Sequence, residues 1–302
     1  MKTLSTYIAV LIFTAALFTC DRNGPPTVDT SQEPEVWKPV NSGSQEQVPP
    51  QESPGTSYYP KPEGAFRIVS YNVGAFSKYM TNSTDMVANM IVEAEADAVG
   101  LNECDSVNRR HLVNQTAELA KAVGNWQWWF GRAMPFRDGA YGNGVIVPQQ
   151  VRILRKYTIP LAKGSGAEQR SVAVVETDKY VIGAAHLDHT SAQARLEQVE
   201  TVDAWADMEY QDAKVPVFFV GDMNAGPDSE TIAQLKHNWT LLSVTTENTY
   251  PSQDSKKCID YIFHYKKSAA VTPVGSHVMT QFNTADVTLA SDHLPIYADV
   301  RF

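Results

Sequence analysis

Six short polar stretches sit beside apolar runs, and each carries residues able to do acid–base or metal chemistry. Asn72 ends Ile68-Val69-Ser70-Tyr71, and Glu103 follows Val99-Gly100-Leu101-Asn102. His186-Leu187-Asp188-His189 ends the run Val181-Ile182-Gly183-Ala184-Ala185. Val217-Phe218-Phe219-Val220 runs into Gly221-Asp222-Met223-Asn224. Ile259 leads at once to Asp260, and Ser291-Asp292-His293 stands just before the last apolar run. Singly, each is an ordinary turn or cap, since Asp, Asn and Gly favour turns. Six together, drawing on few residue types, argue for one shared site. Ionisable groups gathered at one sheet edge are costly unless they pair or hold a cation.

The residue types define a reaction. Oxygen ligands such as Glu103, Asn72 and Asp292 suit a hard cation, Mg²⁺ or Mn²⁺. His293 can exchange a proton near neutral pH, and Asp260 can fix its tautomer and raise its basicity. Asn224 and His186 can donate hydrogen bonds to charge that develops in a transition state. Such a set fits hydrolysis of a phosphate ester by an activated water. Two candidates stand for the group that takes the water's proton, Asp222 and the His293–Asp260 pair. One metal ion and two fit equally well.

These groups need strands to carry them. Apolar runs over 66–73, 98–101, 144–147, 171–176, 180–186, 217–220, 259–263 and 294–300 read as strands, most of them buried. Helical spacing places Val87, Met90, Ile91 and Ala94 on one face of 84–96, and similar patterns cover 108–123 and 191–208. Many strands with interspersed helices imply a layered α/β domain. Strands apolar on both faces want cover on both, which two packed sheets with helices outside would supply. By alternation, Asp222 and Asn224 share a face of a continuing strand, and Glu103 faces away from Asn102 and Cys104. In Asn125-Trp126-Gln127-Trp128-Trp129-Phe130, alternation puts Trp126, Trp128 and Phe130 on one face, expected to pack in the core.

The rest of the chain sets a context. Residues 1–20 have the layout of a secretory signal, with Lys2 followed by a short apolar run. Leu17-Phe18-Thr19-Cys20 resembles a bacterial lipoprotein cleavage box, which implies lipidation at Cys20 and a cell-envelope location. Residues 21–65 hold nine of the seventeen prolines and few large apolar residues, as expected of an extended tether. Residues 66–302 then form the folded domain, expected as a monomer. The net charge is −9, which weighs mildly against a nonspecific grip on nucleic acid. Cys104 and Cys258 are compatible with a disulfide or with two buried thiols. Lys256-Lys257 and Lys266-Lys267 bracket the Asp260 strand, where lysine pairs can steer anions or simply stand in solvent.

SYNV, LNE, AHLDH, GDMN, IDYI and SDHLP, in that order, resemble the endonuclease/exonuclease/phosphatase superfamily. YGNGVIV at 141–147, Arg195 and Gln198 also resemble its pattern. The resemblance spans essentially all of 66–302 and implies a four-layer α/β sandwich of two packed mixed β-sheets flanked by helices. It implies a divalent-metal-dependent phosphoesterase acting on nucleic acid, phospholipid or a small molecule. Glu103 resembles the principal metal ligand with Asn72 beside it, and Asp292 a second metal-proximal carboxylate. Asp222 and Asn224 resemble the pair that orients water and binds phosphate, and His293 the essential histidine partnered by Asp260. His186 and Arg170 resemble phosphate-contacting residues. Asn102 departs from the glutamine that many members carry before the metal glutamate. A non-catalytic module binding a phosphate ligand or nucleic acid on the same fold is the alternative, although it has no need of the whole set.

Overall fold

Alternation inside each apolar run decides the architecture. In the strand β8 (Val217–Asp222), Phe218 and Val220 join one buried cluster, and Val217 and Phe219 join another. The first cluster fills the space between two sheets, and the second lies under helices on the outside. A computed structural model describes residues 57–302 of this organisation.

Each sheet has six strands. The first runs β11 (Thr272–Val278), β12 (Ile296–Arg301), β1 (Phe66–Asn72), β2 (Ala98–Ser106), β4 (Gly139–Val147) and β3 (Gln127–Phe136). The second runs β5 (Ile153–Leu161), β6 (Arg170–Thr177), β7 (Val181–His186), β8, β10 (Asp260–Tyr265) and β9 (Trp239–Leu241). Both are mixed: β1 and β2 are parallel, as are β7 and β8, and the other pairs are antiparallel. Helices α1 (Thr84–Glu93) and α2 (Gln115–Ala122) cover the first sheet. Helices α3 (Ala192–Tyr210) and α4 (Glu230–Asn238) cover the second, with a short α5 (Val287–Ala290) near the C-terminus. The sheet–sheet core and two helical layers make the expected four-layer sandwich.

Local signals set the helix ends. Asn114, Ser191 and Ser229 each accept a hydrogen bond from the backbone N–H three residues on, which satisfies one orphan donor of the first turn. The expected helix over 108–123 is shorter, because the Asn108 side chain accepts from the Arg110 and His111 N–H groups and holds a turn there.

Two further expectations change. The segment 57–65, read as tether, packs on the domain: the Arg67 guanidinium donates to the Tyr59 carbonyl, and Tyr59 packs edge-on against Tyr297. Large apolar residues are sparse there, but Tyr59, the Lys61–Asp97 ion pair and the bond from buried Arg67 dock it. Trp128 is exposed, while Trp126, Trp129 and Phe130 pack against the core. The reason is that β3 is an edge strand, with cover on only part of each face. Cys104 and Cys258 are both buried free thiols. Cys20 and the signal-like segment lie outside the described residues. Among the described residues, no helix is long and apolar enough to cross a membrane.

Candidate active site

Strand register gathers the polar endings. His186 of β7 and Asp260 of β10 flank Asp222 of β8 in one row across the second sheet. In the first sheet Asn72 stands level with Asn102, one residue before Glu103. Glu103 sits at a bulge in β2 with φ 58°, which turns its side chain out from between the buried Asn102 and Cys104.

Amides tie the two sheets together beneath the site. Asn102 Oδ1 accepts from the Asp222 N–H at 2.9 Å, and its Nδ2 donates to Asn143 Oδ1 and to the Ala185 carbonyl. Asn143 in turn donates to the Ser171 carbonyl. All these groups are buried, so every bond replaces a costly unpaired polar atom. The shorter amide at 102 thus anchors Asp222 across the sandwich.

Asp222 is the hub. Its Oδ2 accepts from Asn72 Nδ2 at 3.1 Å and lies 3.5 Å from His186 Nε2 and 3.6 Å from His293 Nε2. Its Oδ1 accepts from the Asn224 N–H at 2.8 Å. Gly221 before it has φ 139°, a conformation that favours glycine, and a Cβ there would overlap the Ala185 carbonyl oxygen. The strand ends at Asp222, so Asn224 does not continue it. It adopts φ 48° and donates to the Leu187 carbonyl, because a turn lets it serve both neighbours. Met223 packs fully buried in the outer cluster.

The loop carrying Asp292 and His293 is pinned by its neighbours. Ser291 Oγ donates to the Asn72 carbonyl, and the Ser252 hydroxyl donates to the Ser291 carbonyl, each at 2.7 Å. His293 Nδ1 lies 2.9 Å from Asp260 Oδ2, and the Tyr250 ring packs on the imidazole. A parallel arrangement holds the other wall. Gln198 Oε1 accepts from the Asp188 N–H, and Arg195 donates to the Asp188 carbonyl. These two helical residues set the loop between His186 and His189.

The cleft so formed has a volume of about 570 Å³. It is lined by Glu103, Arg170, His186, Asp222, Asn224, Asp292 and His293, with Asn72 and Asp260 directly behind. All nine sequence-nominated residues therefore meet at one place. Asn72 differs from expectation in orientation. Its Oδ1 accepts from the Gly74 N–H, while its Nδ2 points at Glu103 and Asp222. Two carboxylates demand a donor there, so the amide bridges them instead of offering its oxygen to a cation.

The electrostatics follow from burial. Burial pushes the Asp222 carboxyl up to about 7, and the charge of Asp260 adds to the effect. Burial works against the His293 charge, but the carboxylates of Asp260 and Asp222 outweigh it and raise the imidazole to about 10. His186 goes the other way: burial, then the nearby Arg170 charge, hold it well below the usual range and neutral. Arg170 is buried, meets Glu168 at 3.3 Å and His189 at 3.1 Å, and has an unpartnered Nε.

Lys78 was not anticipated. Its Nζ lies 3.0 Å from Asp292 Oδ2 and 3.4 Å from Glu103 Oε2. Burial opposes the ammonium charge, but the two carboxylates outweigh it. Glu168, His189 and Tyr250 also line the cleft; His189 belongs to one of the polar endings, and Glu168 and Tyr250 do not. Of the lysine pairs, only Lys257 reaches the cleft; Lys266 and Lys267 bind helix-end carbonyls and Asp207 elsewhere.

Oxygen donors do converge on one position. Glu103 and Asp292 aim carboxylate oxygens at a single cationic atom, a donor set suited to a hard divalent ion. Asp222, Asp260 and His293 form a second, fully buried group with donor atoms within 4.8 Å of one another. There His293 is already engaged by Asp260, so the group reads first as a proton-handling unit.

Solved structures share this fold. A mannosyl-6-phosphatase of Bacteroides thetaiotaomicron superposes with a TM-score of 0.65 at 17% identity, covering 78% of this chain and 100% of that one. A Bacteroides vulgatus endonuclease/exonuclease/phosphatase gives 0.62 at 19% identity, covering 79% and 99%. The human Nocturnin catalytic domain with bound sulfate gives 0.60 at 17% identity, covering 79% and 94%. Among curated proteins, none matches the sequence. The pattern of the Endonuclease/Exonuclease/phosphatase family spans residues 69–293, from the first strand to the histidine of the pinned loop. The chain, with its two six-stranded sheets and the cleft at their shared edge, belongs to that family.

Proposed function

We propose that the protein is a divalent-metal-dependent phosphoesterase in which Asp222 takes the proton of the attacking water. The observation that carries the reading is the convergence of Glu103 and Asp292 on one cationic position beside the Asp222–His293–Asp260 group. Mg²⁺ or Mn²⁺ held by Glu103 and Asp292 would polarise a phosphoryl oxygen and offset developing charge. Asp222, with its carboxyl raised toward neutrality, suits proton acceptance near operating pH. The Asn224 N–H and the Asn72 amide hold its two oxygens. His293, kept protonated by Asp260 and Asp222, donates to the phosphoryl group as charge accumulates. Neutral His186 and the Arg170 guanidinium, which both line the cleft, supply further donors. The acidic balance of the chain favours a small-molecule or lipid ester over a nucleic acid. The export-type segment and Cys20, on residues outside those described, support placement as a lipid-anchored protein of the cell envelope.

The test offers purified protein a generic aryl phosphodiester, an aryl phosphomonoester, plasmid DNA and phospholipid vesicles, each with Mg²⁺, Mn²⁺ or EDTA. Turnover of one class that requires the metal and is lost in His293→Ala is expected. Turnover that survives EDTA, or that survives His293→Ala, overturns the mechanism. Metal-dependent plasmid nicking that weakens steeply with salt would assign a nuclease.

A further inference from the structure

The position on which Glu103 and Asp292 converge belongs to the chain itself. Lys78 Nζ sits between them, within 3.0 Å of one and 3.4 Å of the other. Two adjacent carboxylates near Asp222 would repel each other without a counter-ion. The ammonium supplies that charge as a compact point.

The lysine is delivered by a shaped loop. Gly74, Ala75 and Phe76 take φ 52°, 54° and 53° in succession, a left-handed turn that L-residues rarely adopt. Contacts over-determine it: Phe76 is fully buried, the Ala75 carbonyl accepts from Gln115 Nε2, and the Phe76 carbonyl accepts from the Ser83 N–H. The turn folds the Lys78 stem back over Gly74. A Cβ at Gly74 would come within 2.4 Å of the lysine Cγ and 3.1 Å of Asp292 Oδ1. The missing side chain at 74 is the space through which Lys78 reaches the carboxylates.

We propose that Lys78 is a built-in competitor for the metal. It holds Glu103 and Asp292 together in the metal-free protein and must be displaced when a divalent ion binds. The inference rests on the reading that this carboxylate pair holds the metal. Its physical content is linkage: whatever stabilises the empty site over the loaded one weakens metal affinity by the same factor. The displaced ammonium stays tethered at the cleft, so metal uptake and a new cation facing the substrate arrive together. Lys78 is a positioning and specificity residue in this scheme, acting through the two carboxylates.

The experiment titrates Mn²⁺ into the full-length protein and follows the free-ion paramagnetic resonance signal, a readout independent of turnover. Wild type is compared with Lys78→Met, Lys78→Arg and Glu103→Gln. Lys78→Met should bind Mn²⁺ about tenfold more tightly than wild type, equivalent to ~1.4 kcal/mol. Lys78→Arg, which restores the charge, should return most of the competition. If wild type binds Mn²⁺, Glu103→Gln binds it far more weakly and Lys78→Met binds no tighter than wild type, competition is overturned and the metal reading stands. If no variant takes up Mn²⁺, the metal reading falls and the inference with it. Lys78 is partly exposed, and methionine preserves the stem that packs over Gly74. Unchanged far-ultraviolet circular dichroism and melting without metal would verify that Lys78→Met folds.

Discussion

His293 Nδ1 lies 2.9 Å from Asp260 Oδ2, and both side chains are buried, so the Nε2 edge is left for Asp222 and the cleft. This pairing orients the ring and holds the imidazole charged. The rate should rise as Asp222 loses its proton through about 7 and fall as His293 loses its own through about 10. The sign follows from the roles: the base must be ionised and the donor protonated. Asp260→Asn removes the charge that raises His293, so the alkaline limb should move to lower pH. It should also cut kcat by roughly 10²–10⁴-fold. The measurement is kcat/KM against pH for both proteins.

Metal removal gives a second outcome. EDTA should abolish activity, and Mg²⁺ or Mn²⁺ should restore it in wild type. Glu103→Gln keeps the shape but loses a charged ligand, so restoration should need far more metal. A metal titration of activity, run side by side, decides it.

Arg170 is buried but lines the cleft, its Nη2 held near Glu168 and His189. A charge-assisted bond from a planar guanidinium is worth about 1.5–3 kcal/mol. Arg170→Lys should therefore lower kcat/KM by roughly 10–100-fold, because a lysine cannot reproduce the fork. Steady-state kinetics should show the loss without a fall in melting temperature large enough to explain it.

Asn102→Ala removes the tie between the sheets. The Asp222 N–H and Asn143 lose a partner, and each buried group left unpaired costs about 1–3 kcal/mol. Urea denaturation should report that loss, and kcat should fall while KM changes little, since Asp222 would lose its fixed position.

Asp188 tests the loop beside His186. Burial opposes its ionisation, but donors from Ser191, Thr190 and Ala167 outweigh it and lower the carboxyl to about 2. A depressed folded-state value stabilises above the unfolded value, 3.8, and that contribution fades as pH falls through about 2. It amounts to about 2 kcal/mol at neutral pH. Asp188→Asn should be less stable than wild type at pH 7 by about that amount, with the gap closing near pH 2. Denaturant titration at the two pH values measures it.

The sequence by itself determined which strands lie at the centre of the sheets. β1, β2, β4, β6, β7, β8, β10 and β12 all read as apolar runs, because packing on both faces demands it. Their polar endings announced the cleft, since a carboxylate or amide at a buried strand end is chemically conspicuous. β5, β9 and β11 escaped such a reading, and β3 showed only an aromatic alternation. These four are the edges of the two sheets, where half-covered faces mix polar and apolar residues. Tertiary structure alone decided the rest of the site. Asn72 became a bridge because two carboxylates from different sheets meet its amide, and Asn102 became a tie because β8 passes within reach. Lys78 reaches the carboxylates through a left-handed turn over a glycine, and no periodicity encodes a contact of that kind. A sequence shows which side chains a strand presents; only the packing of one sheet on the other sets what each side chain must face.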